Sequence, residues 1–394
     1  MIGFDEAQAL LVAALRPLAS EDVALIDAYG RVLAKPIFAA LPSPRRDVSA
    51  MDGFALRNSD AAIGAQFRVV GHSFAGAALP PAVGAGEAVR IFTGAAMPEG
   101  ADRVVMQENC LFDGQSMTIT CGYGPGWHVR KAASDFAEGD LLLPAGRLLD
   151  PRAMMVLAGA DQAKAAVYRR PTVAIIATGD ELAPPGTARA NPLTIPESVS
   201  FGIAAMAEQF GAAIVARYTG GDELLALKRL ADEALAAANL VIVTGGASVG
   251  ERDYAKAMFA EHELELLFPK VAIKPGKPVW LGQAQGRWVL GLPGNPSSAM
   301  VTARLFLAPL LAGLQGRAPS DVLLWEDHKL AATVKVTSER TCFIRASQSP
   351  GGLLPVTNQD SGAQSALSQA EYLIRLEPGT GQKVASGFAR ALKF

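Results

Sequence analysis

The sequence predicts a multi-domain α/β protein, and three observations lead there. Between about 171 and 314, near-continuous apolar runs such as TVAIIATG and LVIVTGG alternate with helical stretches, as in a doubly wound parallel sheet buried on both faces. At about 47–140 and again at 317–394 the pattern changes to short strand-like runs separated by glycines. The chain of 394 residues is 50% hydrophobic and 19% charged, which supports several buried cores and excludes a mostly disordered chain.

Taken in order, Asp5 is read as the cap of a helix running to about Ala19, with Leu10, Leu11, Ala14 and Leu15 on one face. Pro42–Arg46 breaks regular structure. Phe67–Val70, Ala88–Ile91, Val104–Gln107 and Met117–Thr120 are strand-like and suggest a small all-β module. Asp150-Pro151, a cap followed by proline at the first helical position, opens a helix to about Ala163. On this reading that helix packs beside the first, and the β module is an insertion between them. Farther on, Val199–Phe210 is helical, Ala213–Thr219 a strand, and Asp222 the cap of a helix to about Ala238. Asp253–Glu263 is helical, RWVLGLPG a strand, and Pro296–Leu314 a long helix.

Charge and cysteine usage narrow the partners. Lys plus Arg number 36 and Asp plus Glu 38, a net charge of −2, so nothing draws the chain globally to nucleic acid or an anionic membrane. The three cysteines, Cys110, Cys121 and Cys342, form no CxxC, and a structural zinc site is not expected. The first twenty residues carry Asp5 and Glu6 and no base before Arg16, which does not read as a secretory signal; a cytoplasmic protein is expected.

Three apolar strands each end in a glycine-containing loop: Thr178-Gly179-Asp180-Glu181, Thr244-Gly245-Gly246-Ala247-Ser248-Val249-Gly250, and Leu292-Pro293-Gly294-Asn295-Pro296-Ser297. One such loop is as well explained by a tight turn. Three at one sheet edge point to a phosphorylated ligand held by backbone N–H groups beyond the strand ends. Acids gather at the same edge: Asp180, Glu181, Asp222, Glu251 and Asp253. Beside a phosphate they suit a hard divalent cation, although Asp222 alone is better read as a helix cap. Lys274-Pro275-Gly276-Lys277-Pro278 sets two ammonium groups around a stiff turn, able to converge on a compact oxyanion; by itself it would be a solvated turn. These residues imply an α/β domain for a phosphorylated ligand, a cation and a second oxyanion, and leave the chemistry open.

Seven ordered segments together resemble the molybdopterin molybdenumtransferase family, to which the E domain of gephyrin is related. They are SAMDGFA (49–55), IFTGAAMPEGADRVVMQE (91–108), GDLLLPAGRLLDP (139–151), ATGDEL (177–182), TGGASVGERDY (244–254), KPGKP (274–278) and GLPGNPSSA (291–299). The resemblance implies a helical dimerisation domain from 1–45 plus 140–168 and an inserted β module at 46–139. It further implies an α/β molybdopterin-nucleotide domain at 169–316 and a C-terminal β barrel at 317–394. The implied reaction takes adenylylated molybdopterin and molybdate, with Mg2+ or another divalent cation, and yields molybdenum cofactor and AMP. A homodimer with sites between subunits is implied, as are exchanges with a molybdopterin adenylyltransferase and with molybdoenzyme acceptors.

Carried over by position, Asp52, Glu181 and Asp253 are the implied catalytic acids, with Glu181 and Asp253 also metal ligands; Glu251 is a metal-ligand candidate from its place beside the glycine loop. Substrate contacts are implied for Thr93, Asp135, Thr178, Gly179, Asp180, Asp222, Gly245, Gly246, Ser248 and Gly250. They are also implied for Pro293, Gly294, Asn295 and Ser297, for Lys274 and Lys277 toward molybdate, and for Ser361 in a C-terminal loop meeting the partner subunit. Two segments depart from the family pattern. Pro196-Glu197-Ser198-Val199 stands where Tyr-Asp-Ser/Thr-Asn is common, and Ala133-Ser134-Asp135 where Gly-Glu-Asp is common. The alternatives are a paralogue that carries a molybdopterin nucleotide without turnover and, from the related α/β domain, an adenylyltransferase.

Overall fold

The computed structural model describes residues 1–246, 254–379, 382–385 and 387–394. At its centre is a six-stranded sheet in the order Ala213–Gly220, Thr172–Thr178, Leu240–Thr244, Arg287–Leu292, Trp280–Ala284, Glu265–Phe268. The first four are mutually parallel. Alternation along the strands explains the continuous apolar runs. Val173, Ile175, Leu240 and Ile242 face one core, whereas Ala174, Ile176, Val241 and Val243 face the other. Helices Val199–Gln209 and Pro296–Leu314 close the first face and Leu224–Ala237 the second.

The sheet is mixed rather than wholly parallel. Trp280–Ala284 runs antiparallel to both neighbours, and neither it nor Glu265–Phe268 is foreseen in the sequence. Gln285 and Gly286 both have positive φ, 50° and 71°, which turns the chain into a tight hairpin that the unbroken text WLGQAQGRWVLGL conceals. Helix capping is also corrected at position 222. Glu223, not Asp222, caps the next helix, its carboxylate accepting from Leu225 N at 3.1 Å and Ala226 N at 3.0 Å. Of the helix expected at 253–263, the described residues form a 3-10 turn over Ala257–His262. The long helix from Pro296 carries a π segment at Ala303–Leu307. It is the one helix among the described residues long and apolar enough to cross a membrane, yet 94% of that window is buried in the protein core.

The first helix, Phe4–Ala14, departs from expectation in its cap, its face and its neighbour. Gly3 holds the cap position; Asp5 instead forms a two-pronged ion pair with Arg375, at 3.0 and 2.6 Å. The buried stripe is Phe4, Ala7 and Leu11, continued by Leu15, while Leu10 is 36% exposed. Spacings of three and four residues select that stripe. It packs into the α/β core, with the Phe4 ring 5.0 Å from Phe343 and 6.0 Å from Phe306. Leu11 and Leu15 are therefore covered within the chain and are not a free dimer face. Helix Pro151–Gly159, capped by Asp150 through Ala153 N at 2.8 Å, belongs to a separate core with Leu33, Ile37, Leu149 and Val167. The two helices do not pack together as the sequence suggests.

Ser20–Ala24 pairs with Lys164–Tyr168, and Ile37–Phe38 with Leu141–Leu143. Between these paired ends, residues 53–119 build a second six-stranded sheet around Phe54, Leu56, Phe67, Val105 and Met117. In the C-terminal region, Thr341–Ser349, Tyr372–Leu376, Phe388–Lys393 and Trp325–Lys329 pair in sequence across a sheet. Leu330, next to the last of these, bridges Leu353 in Gly352–Pro355, which itself pairs with Thr341–Ser349. That bridge brings the sheet back on itself around Cys342, Ala346, Leu353 and Ile374, a small barrel. Ile273–Lys274 joins the same sheet beside Thr341–Cys342, so the Lys-Pro-Gly-Lys-Pro loop lies at the seam between the α/β layer and the barrel.

Candidate active site

Strands Thr172–Thr178, Leu240–Thr244 and Arg287–Leu292 are neighbours, so their terminal loops converge. The convergence is close because it is made of glycine. Gly245 sits at φ 92°, and a Cβ there would lie 2.5 Å from Thr178 O; one on Gly294 would lie 3.2 Å from Gly245 Cα. Thr178 Oγ1 donates to Thr244 O at 3.4 Å across the strand ends. Beyond the loops is a cavity of about 820 Å3, lined by Thr178, Gly179, Glu181, Asp222, Gly245, Gly246, Lys277, Pro293, Gly294 and Asn295 among others. Its volume, and walls that are polar and apolar in similar measure, suit a nucleotide-sized ligand. A short parallel pair, Leu182–Ala183 with Ile195–Pro196, overhangs it, and Ile195 N donates to Glu181 O at 2.8 Å, fixing the glutamate's backbone.

A second cavity, of about 640 Å3, shares Lys277 and Pro278 with the first. Lys274, Lys277, Lys335 and Arg340 line it, together with Ser298 and Ser361. Four cations against one lining acid, Asp360, leave the trough net positive and attractive to a compact anion. The two lysines picked out in the sequence are brought together here.

Other expected contacts fall elsewhere. Asp180 lines neither cavity; its Oδ1 accepts from Asp222 N at 2.8 Å and sets the loop that carries Asp222. Ser297 is wholly buried, and its hydroxyl donates to Ala363 O at 2.9 Å and accepts from Arg345, so it is a structural tie and not a ligand contact. Its backbone N–H is also taken, donating to Ser361 O at 2.9 Å. Ser361 thus docks on its own chain, where Asn295 Nδ2 donates to its hydroxyl at 3.2 Å. Ser248, Gly250, Glu251 and Asp253 lie outside the described residues.

Asp52 and Thr93 sit together in the inserted β module and line neither cavity. Thr93 donates twice to Asp52 Oδ1, from N at 2.7 Å and from Oγ1 at 2.8 Å. The Thr93 hydroxyl is thereby spent on orienting the acid. Those bonds, the backbone one foremost, with Arg90 nearby, hold the Asp52 carboxyl below the usual range, so it stays ionised. Asp135 is exposed and also outside both cavities. In its loop Asp47 does the anchoring, accepting from Lys131 Nζ at 2.7 Å and Ala132 N at 2.9 Å.

The segment Pro196-Glu197-Ser198-Val199, which departs from the family pattern, lines the cavity, and so do Lys270 and Gln364, which the sequence reading passes over. Glu197 is only 4% exposed. Glu197 accepts from Ser200 N at 2.8 Å and Ser200 Oγ at 2.6 Å, and Arg217 lies 3.6 Å away with its guanidinium over the Phe201 ring. An acid three residues before a serine at a helix start is the signal that could have found it. Glu197→Ala is expected to destabilise the protein by about 1–3 kcal/mol, since buried donors on Ser200 lose their acceptor. The denaturant midpoint of the α/β transition checks this; an unchanged midpoint would mean that water replaces the carboxylate at no cost.

Residues 2–160 match the family described as MoeA N-terminal region (domain I and II), and residues 174–313 match one described as probable molybdopterin binding domain. The molybdopterin molybdenumtransferase of Haemophilus influenzae is 36% identical over 323 residues, 80% of this chain and 78% of that protein. The chain belongs to the molybdopterin molybdenumtransferase family. It is accordingly an enzyme, a transferase that inserts molybdenum in cofactor biosynthesis. The molybdenumtransferase of Staphylococcus aureus strain MRSA252 is 33% identical over 372 residues, 91% of this chain and 87% of its own. Among solved structures, the molybdopterin biosynthesis MoeA protein of Pyrococcus horikosii superposes with a TM-score of 0.82 at 26% identity, covering 100% of this chain and 99% of that one. The molybdenumtransferase fold therefore extends across all the layers described above.

Proposed function

We propose that this molybdenumtransferase takes adenylylated molybdopterin in the 820 Å3 cavity and molybdate in the adjoining cationic trough, releasing AMP and molybdenum cofactor. One observation carries the reading: the two compartments share Lys277 and Pro278, so a phosphorylated ligand in one lies beside an oxyanion in the other. The glycine loops present backbone to phosphate oxygens. The trough cations hold a doubly charged tetrahedral anion, and Lys277 reaches both ligands.

Mg2+ fits the donor set. Among the described residues no group of three His, Cys, Asp or Glu side chains could hold an ion, but the carboxylates of Glu181 and Asp222 line the cavity. Magnesium is commonly held by one or two carboxylates completed by substrate phosphates and water. When bound, it would offset the negative charge of the adenylate phosphates. Glu181 and Asp222 would hold it, Asp180 would set the Asp222 backbone, and the overhanging 182–196 segment would restrict water. Asp253 is a further ligand by family resemblance, and Glu251 by its place beside the glycine loop in the sequence.

The resemblance gives Asp52 a catalytic role, while in a single chain it lies outside both cavities; a homodimer in which each subunit lends Asp52 to the other's site reconciles the two. A cytoplasmic setting suits this role, with an adenylyltransferase supplying the substrate and molybdoenzymes accepting the product. The test is turnover of adenylylated molybdopterin with and without molybdate. AMP release that rises with molybdate and Mg2+ is expected. Tight binding without any AMP release would instead support a carrier.

A further inference from the structure

A buried arginine connects the barrel to the floor of both compartments. Arg345, on strand Thr341–Ser349, is 1% exposed. Its guanidinium donates to Asp360 O at 3.0 Å, Asn358 O at 3.3 Å, Gln359 Oε1 at 3.4 Å and the Ser297 hydroxyl. Gln359 Nε2 returns to Arg345 O at 2.7 Å and Val356 O at 2.8 Å. Ser297 then holds the far end of the same segment through Ala363 O and Ser361 O, both at 2.9 Å. Residues 358–364 are therefore a strap, clamped at one end by Arg345 and at the other by the first turn of the helix from Pro296.

What the strap carries gives Arg345 its importance. Gln359, Asp360 and Ser361 line the cationic trough, and Gln364 lines the nucleotide cavity, where its Nε2 donates to Ser198 Oγ at 3.0 Å. Arg345 thus holds the trough wall directly and bears on the nucleotide-cavity wall through Ser297. Arginine suits the task because its planar fork reaches several acceptors at once; a lysine ammonium cannot reproduce that set. Misplacing a wall by about 1 Å is enough to lose binding and rate.

We propose that Arg345 is a positioning residue for molybdenum insertion: acting through Ser297, it sets the strap 358–364 and so aligns the oxyanion trough with the nucleotide cavity. This rests on the reading above for which ligand fills which compartment.

The experiment compares the parent with Arg345→Lys, Ser297→Ala and the double variant, using molybdate alone as the probe in calorimetry and hydrogen exchange at the amide of position 297. Each single variant is expected to weaken molybdate binding about tenfold and to speed exchange of that amide by a similar factor. The double variant is expected to lose less than the product of the two single effects, because the Arg345–Ser297 bond is shared while each residue also holds its own end of the strap. Molybdate affinity and exchange of that amide both within twofold of the parent would overturn the proposal. If Arg345→Lys does not fold, Ser297→Ala decides by the same two readouts. A parent that binds no molybdate would sink the functional reading, and exchange of that amide would still judge the positioning role.

Discussion

Lys277→Ala is expected to weaken molybdate use by about ten- to a hundredfold, and Lys274→Ala by about tenfold or less. A charge-assisted hydrogen bond to an oxyanion contributes about 1.5–3 kcal/mol, which sets that range. The difference between the lysines comes from position. Lys277 lines both compartments, whereas Lys274 lines only the trough, where Lys335 and Arg340 remain to compensate. The loop is also held rigidly. Gly276 sits at φ 99°, where a Cβ would come within 2.1 Å of Thr302 Cγ2, so the turn lies directly on the long helix. Both lysines are exposed, and their loss is not expected to lower the melting temperature. The molybdate KM in an AMP-release assay reads the effect. An unchanged KM in both variants would remove these lysines from the oxyanion site.

The features that made this site legible in the sequence share a physical basis: they are local. A strand buried on both faces must be apolar throughout, as Thr172–Thr178 and Leu240–Thr244 are. A strand end that meets another backbone needs glycine, as Gly245 does beside Thr178. Two lysines around Pro-Gly declare themselves in five residues. From these the α/β layer, its ligand edge and the oxyanion loop follow.

What stayed hidden depends on residues far apart in the chain. The Arg345–Ser297 contact spans 48 positions, and nothing in either segment announces it. Ser297 looks like one more polar group in a phosphate loop until the strap is seen to use its N–H and its hydroxyl. Asp180 and Thr93 are similar cases: both are expected at the substrate, and both instead bond the residue that bears a nearby acid. The buried face of the first helix escapes the sequence for another reason. Leu10 and Leu11 are equally apolar, and only the angular position of Phe4, Ala7 and Leu11 decides which leucine is buried. The hairpin from Trp280 lacks the Asn-Gly or Asp-Gly pair that marks most two-residue turns; Gln285 adopts the left-handed region there without such a cue.

Asp52→Ala and Glu181→Ala are each expected to lower AMP release by more than tenfold, and mixing the two inactive proteins is expected to restore part of the activity. Glu181 lines the nucleotide cavity of its own chain, whereas Asp52, ionised and held by Thr93, lies outside it. If a second copy supplies Asp52, a mixed dimer contains one site carrying both defects and one carrying neither. Random exchange makes half of all dimers mixed and leaves one site in two of those intact, so about a quarter of parental activity returns. Adenylate binding is expected to persist in Asp52→Ala, because the glycine loops and Lys277 that would hold it are untouched. Subunits are co-refolded, or incubated until exchange is complete by sedimentation, before AMP release is measured. Recovery near a quarter places Asp52 in trans. No recovery from fully exchanged dimers means that Asp52 serves its own chain's cavity or none, and the shared-site arrangement fails.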